Sequence, residues 1–282
     1  MTIAITGISG QLGRLIADSL VTRAADVPRV GLARTPDSVA IEGVDVRRFD
    51  YDHPATLVPA LTGIDTLMLV SSSAVGRRER QHRAVIDAAK AAGVGRIVYT
   101  SLLHADTSAL SLADEHVATE RALVESGIAH TILRTGWYTE NYTASVPSAL
   151  AHGAFVGSAG DGRIASATRA DYADAAAAVL TDDGHAGQVY ELAGDSAYTL
   201  TDLAAELSRQ AGRDIPYVDL PEADYAAALV GAGLPQPLAA ALAGYDVAAA
   251  GGALFHDGDA LSRLIGRPTT PLATSIAAAL PR

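Results

Sequence analysis

TGISGQLG, residues 6–13, decides the fold. It sets Gly7, Gly10 and Gly13 three residues apart, after the apolar run TIAIT (2–6) and before QLGRLIADSLVTR (11–23). In the second stretch Leu12, Leu15, Ile16 and Leu20 recur at helical spacing. A strand, a glycine turn and a helix in that order can cradle a dinucleotide. Gly7 permits the tight turn, Gly10 lets backbone approach a diphosphate, and Gly13 lets the helix pack close to the sheet. The helix N-terminus adds unpaired N–H groups and the positive end of its dipole. Gly7, Ile8, Ser9, Gly10, Gln11, Leu12 and Gly13 are therefore the expected cofactor loop.

Strands are expected outward from this loop at RVGLAR (29–34), VDVRRFD (44–50), DTLMLVSSS (65–73), RIVYTS (96–101) and HTILRTG (130–136). Between them, PATLVPALTG (54–63) reads as a helix that Pro59 stops or kinks. HRAVIDAAKAAG (82–93) reads as an amphipathic helix ending at Gly93, and LADEHVATERAL (112–123) as a surface helix. This alternation predicts an α/β chain: a doubly wound, Rossmann-type parallel sheet with ligands at the carboxyl ends of its strands.

After residue 150 the rhythm loosens. GQVYELAG (187–194) is one more strand, TLTDLAAELSRQAG (199–212) a helix capped by Thr199 or Thr201, and residues 231–252 read as short helices with turns. We expect a nucleotide-binding domain over residues 1–150 and a smaller, mostly α-helical lobe over 151–282. The boundary is soft, because later strands can return to the main sheet.

The 282 residues suffice for a full core, and no apolar run approaches the ~20 residues a membrane span needs. MTIAITG lacks the basic start and cleavage site of a secretory signal, so a cytoplasmic protein is expected. With no cysteine there is no disulfide, thiolate metal site or thiol nucleophile. A net charge of −11 argues against nucleic acid or an anionic membrane as partner, so any bound anion needs a local cation. The Asp171/Asp174 and Asp182/Asp183 pairs lack further oxygen ligands at a suitable spacing, and no metal is expected.

Arg34 follows Gly13 by 21 residues, at the end of the second strand. NAD-preferring folds carry a carboxylate there for the ribose 2′-hydroxyl. A guanidinium instead pairs with a 2′-phosphate, so the expected cofactor is NADP(H). Ser71, Ser72 and Ser73 end the fourth strand, either lining the nucleotide path or marking the change to loop.

With the glycine spacing, Arg34 and VYTS (98–101), the chain resembles the atypical short-chain dehydrogenase/reductases, in their NmrA-like branch. YTSLLHADTS, LADEH, GWYTENY, GRIASATRADYADAAAAV and YELAGDSAYTLTDLAAELS follow in register. In order and spacing they resemble the NADPH:quinone oxidoreductase 2 family, itself similar to triphenylmethane dye reductases.

In the wider superfamily a Tyr protonates the substrate oxygen, a Lys lowers its pKa and a Ser positions the substrate. The resemblance puts Ser101 at the Ser position, but His116 and Glu120 where Tyr and Lys belong. A carboxylate beside His116 is expected to raise its pKa. Hydride addition to a ketone yields an alkoxide about as basic as hydroxide (water, ~15.7) and needs an acid. Addition to a quinone yields a phenolate-like anion, comparable to Tyr at about 10. Losing Tyr and Lys therefore leaves quinone reduction feasible. The same holds for a cationic triarylmethane dye.

TGWYTENY (135–142) holds the sole Trp and two Tyr in a chain only 5% aromatic. A quinone ring could stack on Trp137 or Tyr138 while Asn141 donates to an oxygen. With Ser101 these are the expected catalytic residues, and Gly136, Trp137 and Tyr138 are also expected beside the cofactor. The alternative is an NmrA-like NADP(H) sensor without turnover. The expected partner is a small aromatic quinone, and the Ala-rich second half is compatible with a homodimer.

Overall fold

The computed structural model describes residues 1–281. Its strands are β1 (Ile3–Thr6), β2 (Arg29–Ala33), β3 (Val44–Arg48), β4 (Thr66–Leu69), β5 (Arg96–Leu102), β6 (Ala129–Thr135), β7 (Phe155–Gly157), β8 (Val189–Leu192) and β9 (Tyr217–Asp219). The helices of the first half are α1 (Gln11–Arg23), α2 (Leu57–Ala60), α3 (Arg78–Ala92), α4 (Ala113–Ser126), α5 (Thr139–Thr143) and α6 (Val146–His152). They are followed by α7 (Arg169–Thr181), α8 (Leu200–Ala211), α9 (Glu222–Gly231), α10 (Gln236–Ala250), α11 (Ala260–Ile265) and α12 (Leu272–Ala279).

Seven strands form one parallel sheet in the order β3-β2-β1-β4-β5-β6-β8. Successive side chains of a strand point to opposite faces. Ile3 and Ile5 thus join Met68, Val98 and Leu133 beneath α1 and α7. Ala4, Leu67, Leu69, Ile97 and Tyr99 face the helices α2, α3 and α4. Both faces are covered, as a parallel sheet requires. The direction of winding reverses between β1 and β4, so a crevice opens at their carboxyl ends.

A third core joins Leu102, Leu110, Tyr142 and Val146 to Phe155, Leu200, Leu203, Ala249 and Ile276. It carries α5, α6, α8, α10 and α12 beside the sheet. β7 and β9 pair separately, whereas β8 returns to the main sheet beside β6.

Local signals explain most boundaries. Gly93, at φ +77, ends α3. α2 stops one residue after Pro59, and Thr199 caps α8 in a reciprocal pair with Asp202. Residues 231–252 depart from the expected short helices, since α10 runs unbroken for 15 residues. Pro237 sits in its first turn, where no intrahelical donor is lost, and Ala239, Ala243, Asp246 and Ala249 form its buried stripe. α4 is less a surface helix than its sequence suggests, because both His116 and Glu120 are buried.

Candidate active site

Gly7 turns the chain at φ +62, and the Gly10 N–H closes the turn on the Gly7 carbonyl at 2.8 Å. A Cβ on Gly13 would lie 2.3 Å from that carbonyl oxygen, so no larger residue fits. Gly10 caps α1 without a side-chain hydrogen bond, leaving the first-turn N–H groups directed at the crevice mouth. This backbone cradle fits the diphosphate of a dinucleotide. Ser9, Gly10, Gln11, Leu12 and Gly13 line a crevice of about 540 Å³. Ile8 does not line it; its side chain belongs to the core beneath α1.

Arg34 is exposed on the crevice wall and has no ion-pair partner among the described residues. Beside it, Phe49, Asp50, Tyr51 and Asp52, just beyond β3, form a stretch of wall missed by sequence reasoning; the Phe49 N–H donates to the Ala33 carbonyl at 2.7 Å. The rule that ligands gather at strand carboxyl ends was the signal for it.

Ser71, Ser72 and Ser73 all line the crevice, on a loop that α3, α4 and β5 hold in place. The Ser71 N–H donates to Thr100 Oγ1 at 2.8 Å, and the Ser72 N–H to His82 Nε2 at 3.0 Å. An accepting Nε2 puts the imidazole proton on Nδ1, which donates to Thr119 Oγ1 at 2.9 Å. Burial, reinforced by the Arg78 charge, holds His82 down to about 3, so the ring stays neutral.

Tyr138 lines the same crevice, with the Arg169 guanidinium 4.3 Å from its ring centroid. Arg169 Nη2 also donates to Asn141 Oδ1 at 2.9 Å. Trp137 lines a second, adjoining groove of about 990 Å³ rather than the crevice, its ring edge-on to Tyr245 at 5.5 Å. Leu112, Pro147 and Leu242 complete the apolar part of that groove, and Asn141 adds a polar side chain to it. Gln11, Arg78 and Arg169 line both cavities. Tyr142 points elsewhere: it is buried in the third core and donates to Asp246. Gly136 lines neither cavity. It is a packing glycine, whose Cβ would lie 3.1 Å from the Tyr172 hydroxyl.

Two expectations are corrected on the other side of β5. Ser101 is buried and donates to Glu120 Oε1 at 2.5 Å, outside both cavities. Glu120 is held in turn by Arg134, from Nε at 3.0 Å and Nη2 at 2.8 Å. His116 Nδ1 meets the Tyr99 hydroxyl at 2.8 Å. Burial first, then the Arg78 charge, push its pKa down to about 3 rather than up, because Glu120 is committed to Arg134. Asp171 lies in the first turn of α7. Thr168 is the cap, and Asp171 fastens the C-terminal segment through Arg267 and Thr270. His104 turns back to the Phe255 carbonyl at 3.2 Å.

No helix among the described residues is long and apolar enough to cross a membrane. Quinone oxidoreductase 2 of Escherichia coli (strain K12) is 58% identical over 277 residues, 97% of this chain and 97% of that one. The crystal structure of the NADPH-dependent quinone oxidoreductase from Escherichia coli complexed with NADPH matches at a TM-score of 0.95. It is 57% identical and covers 98% of this chain and 99% of that chain. Citrobacter sp. triphenylmethane reductase matches at a TM-score of 0.94 with 33% identity, covering 99% of both chains. A family model described as NAD(P)H-binding matches residues 7–183, and the chain belongs to that NAD(P)H-binding family.

Proposed function

We propose that this chain is an NADPH-dependent quinone reductase that needs no protein general acid. The observation that carries this reading is the continuity of the two cavities through Gln11, Arg78 and Arg169. One cavity has the glycine loop and Arg34; the other has Trp137, Tyr245 and Asn141. When bound, NADPH supplies a hydride, two electrons with one hydrogen, to an acceptor ring.

Every other contribution comes from the chain. The N–H groups of Gln11, Leu12 and Gly13 at the start of α1 would hold the diphosphate, and Arg34 would pair with the 2′-phosphate. Ser71–Ser73, fixed from behind by Thr100 and His82, shape the middle of the path. Trp137 and Tyr138 align the acceptor, and alignment of reacting groups is itself a large rate factor. The full-length likeness to quinone oxidoreductase 2 supports the quinone as acceptor.

The state of α4 supports reduction without an acid. His116 is neutral and tied to Tyr99, while Glu120 is tied to Ser101 and Arg134. Neither is placed to give a proton to the crevice. A quinone tolerates this, since its product anion is no stronger a base than a phenolate, about 10. Cationic triarylmethane dyes, which take hydride at carbon, fit the same logic, and the likeness to triphenylmethane reductase supports them as a second acceptor class.

The test is loss of NADPH absorbance on adding a simple benzoquinone. Turnover of the quinone with none of an aliphatic ketone is expected. NADPH binding without quinone turnover would replace this reading with the sensor.

A further inference from the structure

We propose that the Arg78 guanidinium, at the junction of the cofactor crevice and the aromatic groove, binds the anionic oxygen of the reduced quinone. This inference rests on the quinone reading above and assigns the charge-stabilising group of the same site.

Arg78 opens α3 and is only 8% exposed. Burying a guanidinium is expensive unless its donors are used. Its Nε donates to the Ser72 carbonyl, which fixes the plane of the group. Its Nη1 is buried without any acceptor. The nearest carboxylate, Glu115, has Oε2 3.9 Å from Nη1, beyond hydrogen-bond reach. Glu115 is held there because its other oxygen accepts from the Arg78 backbone N–H at 3.0 Å. Glu115 Oε2 is likewise buried without a hydrogen-bond partner, so the pair stands apart with neither group satisfied, and the guanidinium, lining two cavities, keeps donor capacity for a ligand there.

The other guanidiniums on these walls have different commitments. Arg77 lies on Asp52 at 2.5 Å. Arg169 is spread over Asn141, Glu140 and the Tyr138 ring. Arg34 is exposed at the nucleotide wall. The histidines behind Arg78, His82 and His116, are both neutral, so the positive charge of this corner is its own.

The chemistry creates the matching anion. Two-electron reduction of a quinone by hydride breaks a C–H bond of the donor, oxidises the nicotinamide and forms one O–H bond on the acceptor. The second oxygen is left as an aryl-oxide, which later takes a proton from water. Between those events the charge needs a fixed donor. A guanidinium already oriented by Ser72 supplies one without reorganisation.

The experiment compares the wild type with Arg78→Gln and Arg78→Lys. In the NADP⁺ complex, 4-nitrophenol serves as a coloured mimic of the aryl-oxide and is titrated by absorbance. The wild type is expected to lower the pKa of the probe by about one unit, tenfold in affinity for the anion. Arg78→Gln should abolish the shift, and Arg78→Lys should restore part of it. Quinone turnover at saturating NADPH should fall about ten- to hundredfold in Arg78→Gln, a larger loss than that in NADPH affinity, which the Arg78 contact with the Ser72 carbonyl also touches.

A wild type that leaves the probe unshifted overturns the inference. So does a variant that loses NADPH affinity at undiminished kcat, since Arg78 would then serve the cofactor. An active wild type with an indifferent variant overturns this inference alone; an inert wild type overturns the quinone reading with it.

Discussion

Ser101 donates its hydroxyl to Glu120 across 2.5 Å, within a buried cluster closed by Arg134. The serine position of the wider superfamily is thereby spent on holding α4 to the sheet. Ser101→Ala should leave quinone turnover largely unchanged while lowering stability by about 1 to 2 kcal/mol, the cost of one buried hydrogen bond to a charged acceptor that Arg134 Nε still serves. Glu120→Ala should cost more, about 2 to 3 kcal/mol, less than a fully isolated pair because Arg134 keeps Glu191 and Asp106. Urea denaturation alongside a turnover assay separates the two effects.

Arg34 stands on the crevice wall without a carboxylate partner among the described residues. One charge-assisted pair contributes about 1.5 to 3 kcal/mol, roughly ten- to hundredfold in affinity. Arg34→Ala should therefore weaken NADPH by that factor and barely alter NADH. Titration calorimetry with both nucleotides checks this, and equal losses would remove the 2′-phosphate assignment.

Tyr138 offers two different things to the crevice, a ring beneath Arg169 and a phenol. Burial raises the pKa of that phenol, so it stays protonated at neutral pH and, with the Tyr51 phenol of the same crevice, could rival water as proton source. If the ring alone matters, Tyr138→Phe retains turnover and Tyr138→Ala loses it. Steady-state rates with one benzoquinone decide the matter; a collapse in Tyr138→Phe would restore a protein acid to the mechanism.

The sheet was legible because glycine spacing and apolar periodicity are local, and Gly7, Gly10, Gly13 and Gly93 each do locally what their sequence context implies. The site was legible only as a segment. TGWYTENY was singled out as a unit, but tertiary packing divides it: Tyr138 faces the crevice, Trp137 the groove and Tyr142 the third core. His116 and Glu120 look like a solvated helix face, and their burial depends on Tyr99 and Arg134 from neighbouring strands. Arg78 sits in the charged run GRRERQHR, where sequence alone reads a wet surface. Its idle donor exists only because the Ser72 loop and α4 close around it.

The buried histidines also set how the fold responds to acid. His82 and His116 have pKa values near 3 in the folded chain against an ordinary 6.5, burial being the main cause in both. Between those values the unfolded chain binds a proton at each and the folded chain does not, so each makes stability fall as pH drops below about 6.5. Asp246 acts oppositely. Burial raises it from 3.8 to about 6, so over that interval the folded chain holds a proton the unfolded chain lacks. Two protons against one leave a net slope of about 1.4 kcal/mol per pH unit between roughly pH 6 and 4.5, with stability rising toward neutral pH. Replacing Asp246 by Asn should steepen the slope to about twice that, and His116→Gln should flatten it toward zero. Urea unfolding at half-unit pH steps measures all three proteins. A His116→Gln slope equal to that of the wild type would mean the imidazole is charged in the folded state, and with it the case for a neutral His116 would fall.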